Sequence, residues 1–246
     1  MGKLPRKDDP GAEVRDENTL VRPSPRPSSA PPPRSTGSMR ALRSSVPPVL
    51  DDALVALPVP RDQIPLTSHF RSTWLSSSIQ ALRDRGHYDA YVRALPDDAR
   101  APILESVAGV WLPIELCVAH YRTCDALGIG RRDSWDVGVE VSRRVHGTSL
   151  ARLAKQAGVT PWTVLAQMPK LWERVYRGGG VAVHRVGPKE SVIEVVQWTI
   201  APIPYVRYSM PAVVHGIVEP FCSKTYVSEV TSLASDTTLG LRVQWV

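Results

Sequence analysis

The sequence predicts an α+β fold: an N-terminal helical layer packed on a C-terminal four-stranded antiparallel sheet with one inserted helix. Three observations carry that expectation. From Ser72 to Arg177 apolar residues recur at three- and four-residue spacing, broken at Gly86, Pro96, Gly128 and Gly158, which is the pattern of consecutive amphipathic helices. After Gly178-Gly179-Gly180 the chain changes to short β-branched runs separated by turn residues, the pattern of strands. Helices first and strands afterwards argue for segregated layers and against a doubly wound sheet.

The helical elements follow in order. Ser72-Thr73-Trp74-Leu75 opens a segment with Trp74, Ile79 and Leu82 on one face, and Gly86 stands where a left-handed C-cap belongs. Tyr88 to Leu95 reads as a short helix closed by Pro96, and Asp97-Asp98 caps the next, through Val107. Pro113 occupies the first turn of a strongly apolar helix running to Leu127, stopped by Gly128. Asp133 to His146 is the next helix. Thr148-Ser149 then starts one ending at Ala157, and Thr160-Pro161 starts a long one to about Arg177. The strands are Val181 to Val186, Ser191 to Thr199, Thr225 to Thr231 and Leu239 to Val246. Gly187-Pro188-Lys189-Glu190 turns the first pair, and Ala234 to Thr238 loops the last. Between the pairs, Ser209-Met210-Pro211 reads as a cap-and-proline start for the inserted helix, which runs through Phe221.

Ahead of this lies a different kind of chain. Residues 1–50 hold 10 of the 23 prolines and no aromatic residue, the first being Phe70. Such a segment has too little apolar surface to offset its ordering entropy and is expected to be a disordered Pro/Arg/Ser-rich tail. Residues 51–65, with Pro58, Pro60 and Pro65, read as an extended lead-in, leaving residues 66–246 as a single α+β domain. The tail carries nine Lys/Arg against five Asp/Glu, so most of the net +6 belongs to it. The remainder, with 21 basic and 19 acidic residues, is nearly balanced. That balance argues against nucleic acid, whose sequence-independent affinity comes from clustered cations. Three cysteines form no disulfide framework, no secretory h-region opens the chain, and no apolar run is long enough to span a bilayer. The expectation is a cytoplasmic protein without a membrane segment.

The motifs of common chemistry are missing: no H-E-x-x-H, C-x-x-C, G-x-S-x-G or phosphate loop occurs. Cys117, His120 and Cys124 share one helical face. Such a face offers three soft ligands to zinc or a haem iron, but structural zinc sites take four ligands from two elements. The expected role is a buried face, in which cysteine is a small hydrophobe and histidine needs one hydrogen-bond partner. Ser149 to Val164, with Ala154 and Gly158 in the places of a tight corner, resembles a bacterial helix-turn-helix. As the alternative reading, a DNA-binding regulator would use this pair, at 148–171, to present Thr160, Thr163, Gln167 and Lys170 to a major groove. Trp111, Trp162, Trp172 and Trp198 either fill the core or line a pocket.

From Trp111 onward the chain resembles a myxobacterial paralogous family of unknown function, over about residues 66–246. The matching residues are Trp111-Leu112-Pro113 before an apolar helix, Pro161 with Leu165-Ala-Gln-Met-Pro-Lys-Leu171, and the break at Gly178. Ile203-Pro-Tyr-Val-Arg207, Ala212-Val-Val-His-Gly216, Cys222 and the closing Trp245 complete the match. The strand-strand-helix-strand-strand end is also similar to the fold shared by haem nitric-oxide-binding domains, 4-vinyl-reductase-like domains and TRAPP subunits. That resemblance implies a module that holds a small ligand or an acyl chain between helices and sheet, or contacts proteins through its surface. The haem group's Tyr-x-Ser-x-Arg motif is missing, which disfavours haem, and of the cysteine-rich signature of the vinyl-reductase-like group only Cys222 is present.

The reading is therefore a non-enzymatic sensory or protein-interaction module with no cofactor and no metal. Its partner is a protein or a small apolar ligand, and a homodimer is compatible with it. The ligand would lie between the 113–127 helix, the 160–177 helix and the sheet, against Cys117, His120, Tyr121, Trp172 and Trp198.

Overall fold

A computed structural model describes residues 50, 52–154 and 158–246. The proline-rich tail expected over residues 1–50 lies, but for Leu50, outside them. Strand β1 (Asp52–Val55) leads into β2 (His69–Arg71) and three helices, α1 (Ser72–Asp84), α2 (Tyr88–Ala94) and α3 (Asp97–Leu104). Next come β3 (Trp111–Pro113), α4 (Ile114–Ala126), α5 (Arg131–Ala154), α6 (Pro161–Leu165) and α7 (Met168–Glu173). Strands β4 (Tyr176–Arg177), β5 (Gly180–Gly187) and β6 (Glu190–Val196) precede α8 (Pro204–Val218), and β7 (Thr225–Glu229) and β8 (Leu239–Trp245) end the chain. The class is the expected α+β.

The main sheet has five strands in the order β1-β5-β6-β8-β7, every neighbouring pair antiparallel. The expected four are β5 to β8. The fifth arises because part of the lead-in pairs with β5, Ala53 opposite His184; four residues among prolines show no alternation from which a strand could be read. Val181, Val183, Ile193, Val195, Leu239, Leu241 and Val243 join one apolar cluster with the helices, as the two-residue period of a strand requires. Ala182, His184, Glu194 and Gly240 alternate with them, and there Arg61 of the lead-in pairs with the buried Glu194.

A second sheet of three very short strands, in the order β3-β2-β4, was not anticipated. Trp111–Pro113, expected to open a helix, pairs with β2 instead, and Tyr176–Arg177, expected to end one, pairs with its other edge. Strands of two or three residues are too short to display a period. Phe70 and Tyr176 point inward, fully or nearly buried, while Arg71 and Arg177 stack over Trp111 at 4.2 and 4.5 Å on the other face.

Other helix boundaries also move. The two helices expected at 133–146 and 148–157 are one, α5, running through Gly147; a glycine in a helix costs about 1 kcal/mol and does not by itself end one. The long helix expected over 160–177 is two short ones. Thr160 and Thr163 form a capping box at the start of α6, and α7 begins afresh at Met168-Pro169, because proline cannot donate the backbone bond that would continue α6. The inserted helix starts at Pro204 and not at Ser209, so Pro211 lies inside it; of two proline start signals, the earlier at the first helical position wins.

Helix α8 is the pivot of the layer. It follows β6 and precedes β7 in the chain, and it packs closely along α5. A Cβ on Gly138 of α5 would stand 2.4 Å from the Ser209 carbonyl oxygen and 2.9 Å from Ala212 Cβ. Gly216 of α8 answers this against Ser142 of α5, where a Cβ would come within 3.0 Å of the hydroxyl. Absent side chains at both positions set the spacing of the two helices.

Candidate functional site

The seam between helices holds two recesses that share Trp74, Met210 and Val213 as a common wall. The first is apolar. It lies between α5, α7 and α8, and its lining includes His146, Leu171, Trp172 and Tyr176. The space between its lining atoms is about 360 Å³, open solvent at the mouth included. The second, about 270 Å³ on the same measure, is lined by Ser78, Tyr121, Tyr205 and Ser209 together with apolar residues of α5 and α8.

Large aromatics build the walls. The Trp172 and Tyr176 rings stack 4.4 Å apart, and Trp198 meets both edge-on at 5.5 and 5.8 Å. Trp172 is pinned by its indole N–H, which donates to the Gly178 carbonyl at 3.0 Å. Gly178 has a φ of 77° and a Cβ there would lie 2.3 Å from the Leu66 carbonyl oxygen, so only glycine allows this approach. The Trp74 indole donates to the Tyr121 hydroxyl.

The polar groups around the recesses are buried and neutral. His120 is 1% exposed and bonded through both ring nitrogens, Nδ1 to the Tyr91 hydroxyl at 2.7 Å and Nε2 to Ser78 Oγ at 2.9 Å. Burial lowers its pKa to about 3. His146, against the Trp74 ring at 6.1 Å, is lowered to about 4 by burial and by the charge of Arg174. Burial likewise raises the phenols of Tyr91, Tyr121, Tyr176 and Tyr205 and the thiols of Cys117 and Cys124, so all six keep their protons. Two buried hydroxyls of lining residues, Tyr176 Oη and Tyr205 Oη, complete no hydrogen bond of ordinary geometry with a described residue. Trp198 lies close enough to Tyr176 to favour its oxygen, yet its own indole N–H is also without an acceptor of ordinary geometry.

These histidines set an acid limit. As pH falls below 6.5, the unfolded chain takes up protons that the folded chain refuses until about pH 4 at His146 and about pH 3 at His120. Stability therefore declines as pH falls through that window. The melting temperature is expected to drop progressively between pH 7 and pH 4, and the slope is expected to flatten in His120→Gln. A profile level from pH 7 to pH 4 would show that neither ring is held neutral.

Of the residues expected from sequence, Trp172 lines the apolar recess and Tyr121 the narrower one, while Cys117, His120 and Trp198 pack behind the walls. Cys124 Sγ lies 3.8 Å from His120 Nε2, and among the described residues no three His, Cys, Asp or Glu side chains are placed to hold a metal ion. His146, Tyr176, Tyr205 and Met210 were not anticipated, because nothing in their local pattern separates them from other core positions. The pair expected as a helix-turn-helix falls on the end of α5, on α6 and on α7. Thr148 lies within α5, Lys155 to Ala157 fall outside the described residues, Thr160 and Thr163 bond each other in the cap of α6, Gln167 is the N-cap of α7 and Lys170 lies inside it.

No protein-family model matches the sequence, and no curated protein matches it. Solved structures do. The chain is similar to a Cs H-NOX mutant containing 4-cyano-L-phenylalanine, at 13% identity and a TM-score of 0.51, over 71% of this chain and 96% of that one. It is also similar to an oxygen-binding H-NOX domain related to soluble guanylate cyclases, at 16% identity, TM-score 0.47, over 71% and 94%. A variant of T. Tengcongensis H-NOX stands at 14%, TM-score 0.47, over 71% and 97%. At such identities the likeness is one of fold, and it rests on the first of the three. Haem is named for one of the similar structures; the residues of this chain do not fit it. Both nitrogens of His120 are engaged. His146 lines a recess with the Trp172–Tyr176 stack in its wall, and none of the described residues that line it is a Lys or Arg that could meet two propionates.

Proposed function

We propose that the chain is a non-enzymatic sensory or protein-interaction module that takes a small, mainly apolar ligand into the recess between α5, α7 and α8. The observation that carries this reading is the recess itself: an apolar pocket in an otherwise close-packed seam, walled by Trp172 and Tyr176. Protein interiors leave few voids. A space that departs from that rule is suited to a guest. Met168 and Met210 in its wall have unbranched, polarisable side chains that adapt to a guest's shape.

The same proposal makes the chain cytoplasmic and a single α+β domain behind a proline-rich tail, kin to the myxobacterial paralogous family; its protein partner or homodimer is to be sought by native mass spectrometry. Among the described residues no helix is long and apolar enough to cross a membrane.

The test uses toluene as the probe. At ten times its Kd a ligand confined to the folded state adds about 1.4 kcal/mol, which raises the melting temperature of a chain this size by roughly 3–6 °C. Ile217→Phe, which fills the apolar recess from α8, is expected to abolish the rise. No rise in the wild-type protein, or an equal rise in the filled variant, would remove the recess as the binding place.

A further inference from the structure

The geometry points to the chemical class of the guest: an uncharged molecule with an apolar body and one hydrogen-bonding group, that group being received by Tyr205 in the narrower recess. This rests on the reading of the apolar recess as a ligand site and adds what the ligand must carry.

Charge is the first discriminator. Among the described residues lining either recess there is no Asp, Glu, Lys or Arg. The one titratable base, His146, is held neutral by its surroundings, and the tyrosines keep their protons. Arg174 and Arg85 act on His146 and Tyr205 from a distance but line neither recess, so an ionised guest would surrender its hydration with no side chain of opposite sign in contact, a cost that ring contacts do not repay.

The second discriminator is the unpartnered oxygen. Tyr205 is 2% exposed and its hydroxyl completes no hydrogen bond with a described residue. Its ring lies 5.9 Å from that of Tyr121, whose own hydroxyl receives the Trp74 N–H. Its backbone is fixed, since the Tyr205 N–H donates to the Asp125 carboxylate at 2.9 Å and its helix is pressed onto α5 at Gly138. The hydroxyl therefore has little freedom to turn towards solvent and meets its unpaired state where it stands. The recess that Tyr205 lines and the apolar one share Trp74, Met210 and Val213 in their linings. Of the three, Met210 has the unbranched side chain that can swing aside, so a ring seated against Trp172 and Tyr176 can reach Tyr205 with a substituent.

Three probes of nearly equal size separate the contributions: toluene, phenol and benzoate, titrated calorimetrically at neutral pH into the full chain and into Tyr205→Phe. Toluene and phenol are expected to bind the wild-type protein and benzoate to bind at least tenfold more weakly than either. In Tyr205→Phe phenol is expected to weaken about three- to tenfold, the net worth of one hydrogen bond, while toluene stays within twofold. A ring-labelled tyrosine spectrum of the wild-type protein adds a readout independent of the variant's folding: phenol, and not toluene, moves the Tyr205 ring signal. Benzoate bound as tightly as toluene would overturn the requirement for neutrality. Phenol bound equally by both chains with an unmoved Tyr205 signal would overturn the role of Tyr205, the ligand site itself standing on toluene. Failure of toluene and phenol alike would overturn the site and this inference together.

Discussion

Trp198→Ala is expected to lower stability by about 3–5 kcal/mol, the range for truncating a buried aromatic, and with it the melting temperature by on the order of 10 °C. Trp198 is wholly buried. Its ring closes a three-membered aromatic cluster with Trp172 and Tyr176, and its backbone N–H donates to Thr237 O at 2.9 Å, tying the end of β6 to the loop before β8. The indole N–H completes no hydrogen bond of ordinary geometry with a described residue, so most of the loss belongs to packing and little to hydrogen bonding. Trp198→Phe, which keeps an aromatic ring and removes the orphaned donor, is expected to recover more than half of the deficit. An alanine variant that melts with the wild type would take Trp198 out of the core and dissolve the wall of the apolar recess with it.

The second large effect concerns two glycines of one helix with opposite signs. Alanine favours a helix over glycine by about 1 kcal/mol, so Gly147→Ala in α5, whose new Cβ meets nothing within 4 Å, is expected to stabilise by up to that amount. Gly138→Ala adds the same methyl 2.4 Å from a backbone oxygen of α8. Neither Ser209 O nor Ala212 Cβ is the movable end of a flexible side chain, so α8 must shift bodily. Overpacking of this kind costs typically 1–3 kcal/mol and occasionally more, and a clash with backbone lies at the upper end. Chemical denaturation of the two variants decides the matter by sign. Two stabilised proteins would mean that α5 and α8 are not in close contact.

The contrast between these glycines bears on how much the sequence disclosed. Both sit in the same helical pattern, and no periodicity distinguishes a glycine that spaces two helices from one that faces outward. Class and layer order were legible, because Val181 to Val186 and Leu239 to Val246 carry the β-branched and alternating character of strands and the preceding hundred residues do not. The five-stranded width was not, since β1 is a four-residue strand among prolines whose pairing comes from tertiary contact with β5. Pro211 shows the same limit: its local context, Ser209-Met210-Pro211, is a good start signal, and only Pro204 upstream makes it an interior residue. The candidate site was legible in part. Trp172 and Tyr121 announce themselves by residue type, whereas Tyr176 matters for its stacking on Trp172 and Tyr205 for a hydroxyl left unbonded among the described residues, properties of the folded arrangement that no motif records.

The indole cluster has an optical consequence. Of the seven tryptophans, Trp74 and Trp172 border the apolar recess and Trp198 stands directly behind it. Two of the indoles that emit in the ultraviolet therefore touch the space a guest would enter and a third backs it, and admission of a guest is expected to displace the spectrum without any attached dye. The fold carries its own occupancy gauge.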